Sequence, residues 1–130
     1  MDLTQYSTSK ADTGAQMQVY DIHGQKAEGV FITLLGQDSK VFRAIERRKQ
    51  QDMINRISQR KVKRGIDLDP DQIVEDSLQE LADLTVDMGK LAFGKDKIGS
   101  DKELIKRAYR EYPWLADQAR EFIADRANFI

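Results

Sequence analysis

The sequence predicts an α+β fold that is mostly α, with an N-terminal β-hairpin packed on a bundle of about four helices. Three observations carry this. Two β-branched or aromatic runs near the N-terminus flank a glycine-containing turn stretch. From residue 39 onward, apolar residues recur at helical spacing. Proline occurs only at Pro70 and Pro113, each at an expected helix start. At 130 residues the chain is most simply one domain, long enough to bury a core without covalent staples.

Residues 1–14 are rich in Ser, Thr, Asp and Gly and lack periodicity, so they are expected to form a loose, flexible arm. The hairpin follows over 15–36: "AQMQVYDI", the turn stretch "HGQKAEG", then "VFITLLG". Val30, Ile32 and Leu34 share one face of the second strand and Phe31 and Leu35 the other, which predicts cover on both sides. An isolated hairpin is only marginally stable, so it must pack on helices or pair with another chain.

The helical part spans 39–130. Asp38 or Ser39 can cap its first helix, which is expected to run to about Val62 and to end at "KRGIDL", with Gly65 as its stop. Its apolar residues Val41, Phe42, Ile45, Met53, Ile54 and Ile57 form a narrow, interrupted stripe, and Glu46 to Asp52 contains none. A helix that polar through its middle projects past the core or meets a partner. The next helix opens with Asp69 as N-cap and Pro70 in its first turn. Val74, Leu78, Leu81, Thr85 and Met88 make its main face, widened by Ile73 and Leu84. "GKLAFGKDKIG" reads as a Gly/Lys connection. Ser100 with Glu103 forms a capping box for a short helix bearing Leu104, Ile105, Ala108, Tyr109 and Tyr112. Pro113 breaks that helix and starts the last one, with Leu115, Ala119, Phe122 and Ile123 at helical spacing.

Composition narrows function. The chain is 40% apolar and 33% charged with no cysteine, which excludes disulfides and thiolate metal sites. Met1 to Lys10 is polar, and the run "VFITLL" is far too short to span a bilayer, so a soluble intracellular protein is expected. The net charge of −1 hides an asymmetry. From Arg43 to Arg64 there are nine basic residues against two acidic ones; from Gly65 to Asp87 there are eight acidic residues and no basic one. The basic helix therefore pairs with the acidic one as an antiparallel hairpin, meets an acidic protein partner, or binds nucleic acid. Nucleic acid is the least favoured, because no aromatic is interleaved after Phe42 and no helix-turn-helix signal flanks the helix.

No catalytic or metal constellation assembles. "DLDPD" places Asp67, Asp69 and Asp71 at alternate positions, but Gln72 and Leu78 stand where a calcium loop needs glycine and glutamate, and Pro70 commits the segment to a helix. His23 is the sole histidine and lies in the hairpin turn. The expectation is a non-enzyme without cofactor. Trp114 is a core anchor at a helix start or an interface hot spot. The apolar candidates for partner contact are Phe42, Ile45 and Ile54 on the basic helix and Trp114, Phe122 and Phe129 in the ending.

That ending, "YPWLADQAREFIADRANFI", together with "GQDSKVFR" after an apolar strand and the opening "MDLTQYSTSKADTGAQM", resembles the tail assembly chaperones of long-tailed bacteriophages. The likeness spans nearly the whole chain and is most specific at Pro113, Trp114, Phe122, Asp125, Arg126, Ala127, Asn128 and Phe129. It implies a protein of the host bacterial cytoplasm, absent from the mature virion, that binds the long helical tape measure protein and keeps it soluble. It also implies recruitment of tail tube protein, in many members through a longer form made by ribosomal frameshifting. It leaves self-association open. The alternative from another class is a structural tail or head–tail connector subunit that stays in the virion.

Overall fold

The computed structural model describes residues 1–60 and 69–130, with only the backbone for 59 and 60. The chain is mostly helical with a small antiparallel sheet. A 3-10 turn over Leu3–Tyr6 and a one-turn helix α1 (Lys10–Thr13) lead into β1 (Ala15–Tyr20) and β2 (Lys26–Leu34). Helices α2 (Lys40–Arg60) and α3 (Pro70–Asp83), strand β3 (Thr85–Asp87) and a miniature hairpin of β4 (Ala92–Phe93) and β5 (Asp96–Lys97) follow. The chain closes with α4 (Lys102–Glu111), α5 (Pro113–Ala124) and a 3-10 turn over Arg126–Phe129. No described helix is long and apolar enough to cross a membrane.

β1 and β2 pair antiparallel, with Ala15 opposite Leu34 and Met17 opposite Ile32, so these four side chains share the inner face. Ile32 and Leu34 are fully buried, which is worth about 1.5–3 kcal/mol each. They join one contiguous core with Leu78, Leu81 and Ala82 of α3, Ile105, Ala108 and Tyr109 of α4, and Leu115, Ala119 and Ile123 of α5. The register shifts between Gln18 and Tyr20. There the Gln18 amide donates to the carbonyls of Ala27 (2.6 Å) and Val30 (3.1 Å), supplying hydrogen bonds that the disrupted ladder no longer makes. At the free edge of β1, the Gln118 amide of α5 accepts from the Tyr20 N–H (3.0 Å) and donates to the Tyr20 carbonyl (2.7 Å). A side chain thus takes the place of a neighbouring strand.

Several expectations are corrected. Among the described residues the outer face of β2 is covered only in part: Phe31 is 37% exposed, whereas Leu35, just past the strand, is buried. The helix opened by Asp69 and Pro70 ends at Asp83, and Thr85–Asp87 turns into a third strand paired with β2. Thr85 remains buried, yet its hydroxyl donates to the Leu81 carbonyl (2.8 Å) and lies 2.8 Å from the Tyr109 hydroxyl. The lysine-rich connection folds into the β4–β5 hairpin, entered through Gly89 at φ +59°, where a Cβ would stand 2.6 Å from the Phe31 carbonyl oxygen. Asp101, not Ser100, caps α4, accepting from the N–H groups of Glu103 (3.0 Å) and Leu104 (3.2 Å). The segment expected as a loose arm is docked through α1: Ala11 is buried, and its carbonyl accepts from the Gly36 N–H (2.9 Å). The stop at "KRGIDL" and the end near Val62 lie outside the described residues.

Candidate functional site

The root of α2 is held by three separate elements. Ser39 is fully buried and its Oγ accepts from the Phe42 N–H (3.1 Å), the N-cap arrangement expected of it. Asp12 of α1 accepts from the Lys40 N–H at 2.7 Å. Asp38 accepts from the Arg126 guanidinium at 3.1 Å, tying the C-terminal turn to the same place. Ile45, 5% exposed, is the last α2 residue in the core, and Phe42 packs partly buried beside it. From Glu46 to Ser58 every residue is exposed. The interrupted stripe therefore corresponds to a helix that leaves the body after its second turn.

The expected pairing of the basic and acidic helices is mostly absent among the described residues. One ion pair joins them, Lys49 Nζ to Glu80 at 2.8 Å, with Glu46 at 3.7 Å from the same ammonium. The hydrogen bond to Glu80 raises the Lys49 pKa above its usual range. Polar side chains of α3 also meet the last two helices. Glu75 bridges Lys106 (2.9 Å) and Arg110 (2.6 Å) of α4, which hold its carboxyl below the usual carboxylate range, and Ser77 accepts from Arg120 of α5 (3.1 Å). Thus α3 packs on α4 and α5, while Arg43, Arg47, Arg48 and Arg56 of α2 are exposed.

On this projecting helix, Met53, Ile54 and Ile57 are 64%, 56% and 52% exposed. Arg43, Arg47, Gln50, Ile54 and Ile57 recur at alternating steps of four and three residues, which places them along one helix face. At the opening of α3, Ile73 and Val74 are also exposed. Isolated exposed aliphatics are ordinary; Met53, Ile54 and Ile57 instead lie within about one turn of a single helix and stay open among the described residues.

The six candidate contact residues separate accordingly. Ile54 is on the open face. Phe42, Trp114 and Phe122 are half-buried against the main core, Trp114 lying edge-on to Tyr112 at 6.2 Å. Ile45 and Phe129 are interior, Phe129 being 1% exposed, so neither offers surface to a partner in this fold. Phe129 fills a satellite cluster with Ala11 and Ala15, edge-on to Phe122 at 5.5 Å. The apolar ending is therefore docked. Met53 and Ile57 were visible in the stripe but not separable from Phe42 and Ile45, because periodicity does not reveal where a helix leaves the core.

Asp69 accepts from the Asp71 N–H (3.0 Å), the capping role, and Asp67 lies outside the described residues. His23 is exposed in the turn, where Asp21 accepts from its N–H (2.9 Å). Compared with protein-family models, curated proteins and solved structures, the chain matches none.

Proposed function

We propose that this chain is a tail assembly chaperone of a long-tailed bacteriophage, which binds the tape measure protein, keeps it soluble and helps to recruit tail tube subunits. The observation that carries the reading is the exposed row Met53, Ile54 and Ile57 on a helix that leaves the body. The resemblance of the segment from Pro113 to Phe129 to that family supports it independently. A carrier for a long amphipathic client needs apolar surface flanked by charge, so that the free carrier stays in solution. Helix-on-helix contact gives modest affinity per copy, and several copies on one client strengthen the whole through avidity. The work is done in the host cytoplasm by a protein that is absent from the finished particle, and it requires no catalytic residue.

The test is co-expression with the tape measure protein of the same phage. The expected result is a larger soluble client fraction and co-purification, both lost on Ile54→Glu. A client that remains insoluble with this chain and with any frameshifted longer form refutes the reading. Detection of the chain in purified virions would instead favour a structural tail or connector subunit.

A further inference from the structure

We infer that the open face of α2 receives an amphipathic α-helix whose apolar row is bordered by carboxylates. The inference rests on the reading of α2 as the client surface and specifies the chemistry of what binds there. Its starting point is how the charges are distributed in the fold. The acidic helix next in sequence would neutralise α2 if the two lay side by side, but Glu75 is engaged by Lys106 and Arg110 of α4. Among the described residues only Glu80 of that helix reaches α2, at Lys49. Arg43 and Arg47 share a helix face with Ile54 and Ile57. Aliphatic side chains and guanidinium groups thus occur on one surface.

A partner buried there must cover the apolar row and compensate the cations, since a charge covered without a counter-charge is costly. An apolar row at helical spacing accommodates an apolar row of another helix, and guanidinium groups donate bidentately to carboxylates. A nucleic acid would satisfy the cations but leave Met53, Ile54 and Ile57 against phosphate and sugar, and α2 presents no exposed aromatic for bases to stack on. Charge complementarity of this kind acts on specificity and on the rate of encounter more than on final affinity, and it weakens as salt rises.

Two synthetic helical peptides with the same leucine row test this, one flanked by glutamates and the other by lysines, each titrated into the full chain by fluorescence anisotropy at low and high salt. The glutamate peptide is expected to bind about tenfold or more tightly than the lysine peptide at low salt, with the margin shrinking at high salt. Arg43→Glu with Arg47→Glu should erase or reverse the preference. Ile54→Glu should weaken both peptides, with circular dichroism confirming an unchanged fold. Equal binding of the two peptides, preference for the lysine peptide, or indifference to these substitutions would overturn the inference. So would a duplex DNA that binds more tightly than either peptide. Client solubilised by the chain while the glutamate peptide is ignored would refute this inference and leave the chaperone reading standing. Peptide bound as expected while the client stays insoluble would do the reverse.

Discussion

Gly36 and Phe129 form the contact that closes the two ends of the chain over the root of α2, and their coupling is measurable. A Cβ added at Gly36 would lie 2.9 Å and 3.1 Å from two ring carbons of Phe129 and 3.0 Å from the Ala11 methyl. All three distances are at or below the tight limit of carbon contacts, while the Gly36 backbone is not in the left-handed region, so the conflict is purely one of space. Gly36→Ala should therefore cost about 1–3 kcal/mol, the usual range for overpacking. Phe→Ala in a closed core costs about 3–5 kcal/mol, but the final turn can undock locally, which caps the loss at about 2–3 kcal/mol for Phe129→Ala. In the double variant two of the three close contacts disappear. Gly36→Ala should then add less than about 0.5 kcal/mol in the Phe129→Ala background, leaving a coupling of more than ~0.5 kcal/mol. Urea denaturation of the four proteins, compared through their midpoints at constant slope, reads this directly. Costs that add to within about 0.5 kcal/mol would show that Phe129 does not occupy the space above Gly36, and the docking of the ending would be wrong.

Two other measurements follow from particular hydrogen bonds. Tyr109 is 1% exposed and its hydroxyl meets Thr85, so Tyr109→Phe should cost about 1 kcal/mol and Thr85→Val more, because the latter strands a buried phenol. Burial pushes the Tyr109 phenol above its ordinary pKa of 10.0. Because the folded pKa is raised, this contribution is complete below the unfolded value and is lost as pH climbs above about 10, a decline that Tyr109→Phe should reduce in pH-resolved denaturation. Gln118→Ala removes the amide that occupies the Tyr20 edge of β1. Since water can replace those bonds, stability should fall by no more than about 1 kcal/mol, but light scattering should reveal association that grows with protein concentration. Scattering identical to the parent would mean that the amide does not guard the edge.

Much of the chain could be read locally. Asp69 with Pro70, and Pro113 after Tyr112, start helices because an N-cap oxygen and a fixed φ act within a few residues and need no distant partner. Leu115, Ala119 and Ile123 follow as core because one helix face repeats at 3.6 residues. Local signals were weaker where two choices cost nearly the same. Ser100 and Asp101 both suit a cap, and the position of the first turn selects Asp101. Thr85 and Met88 continue a helical period as well as they begin a strand, and pairing of Thr85 and Asp87 with β2 decides for the strand. Phe31 reads as apolar in sequence, but among the described residues no element closes over the outer face of β2 there, so it is left 37% exposed.

By itself the sequence determined the fold class, the order of the major helices, the Asp69 cap and the charge blocks, because each is carried by patterns local in the chain. Only the tertiary structure decided which apolar residues are surface. Ile45 and Ile54 are the same side chain on the same helix, yet one is 5% and the other 56% exposed, since α2 passes the edge of the core between them. Likewise Glu75 of α3 meets Lys106 and Arg110 of α4 while Glu80 meets Lys49 of α2, a division set by packing across the fold and not by adjacency in the chain.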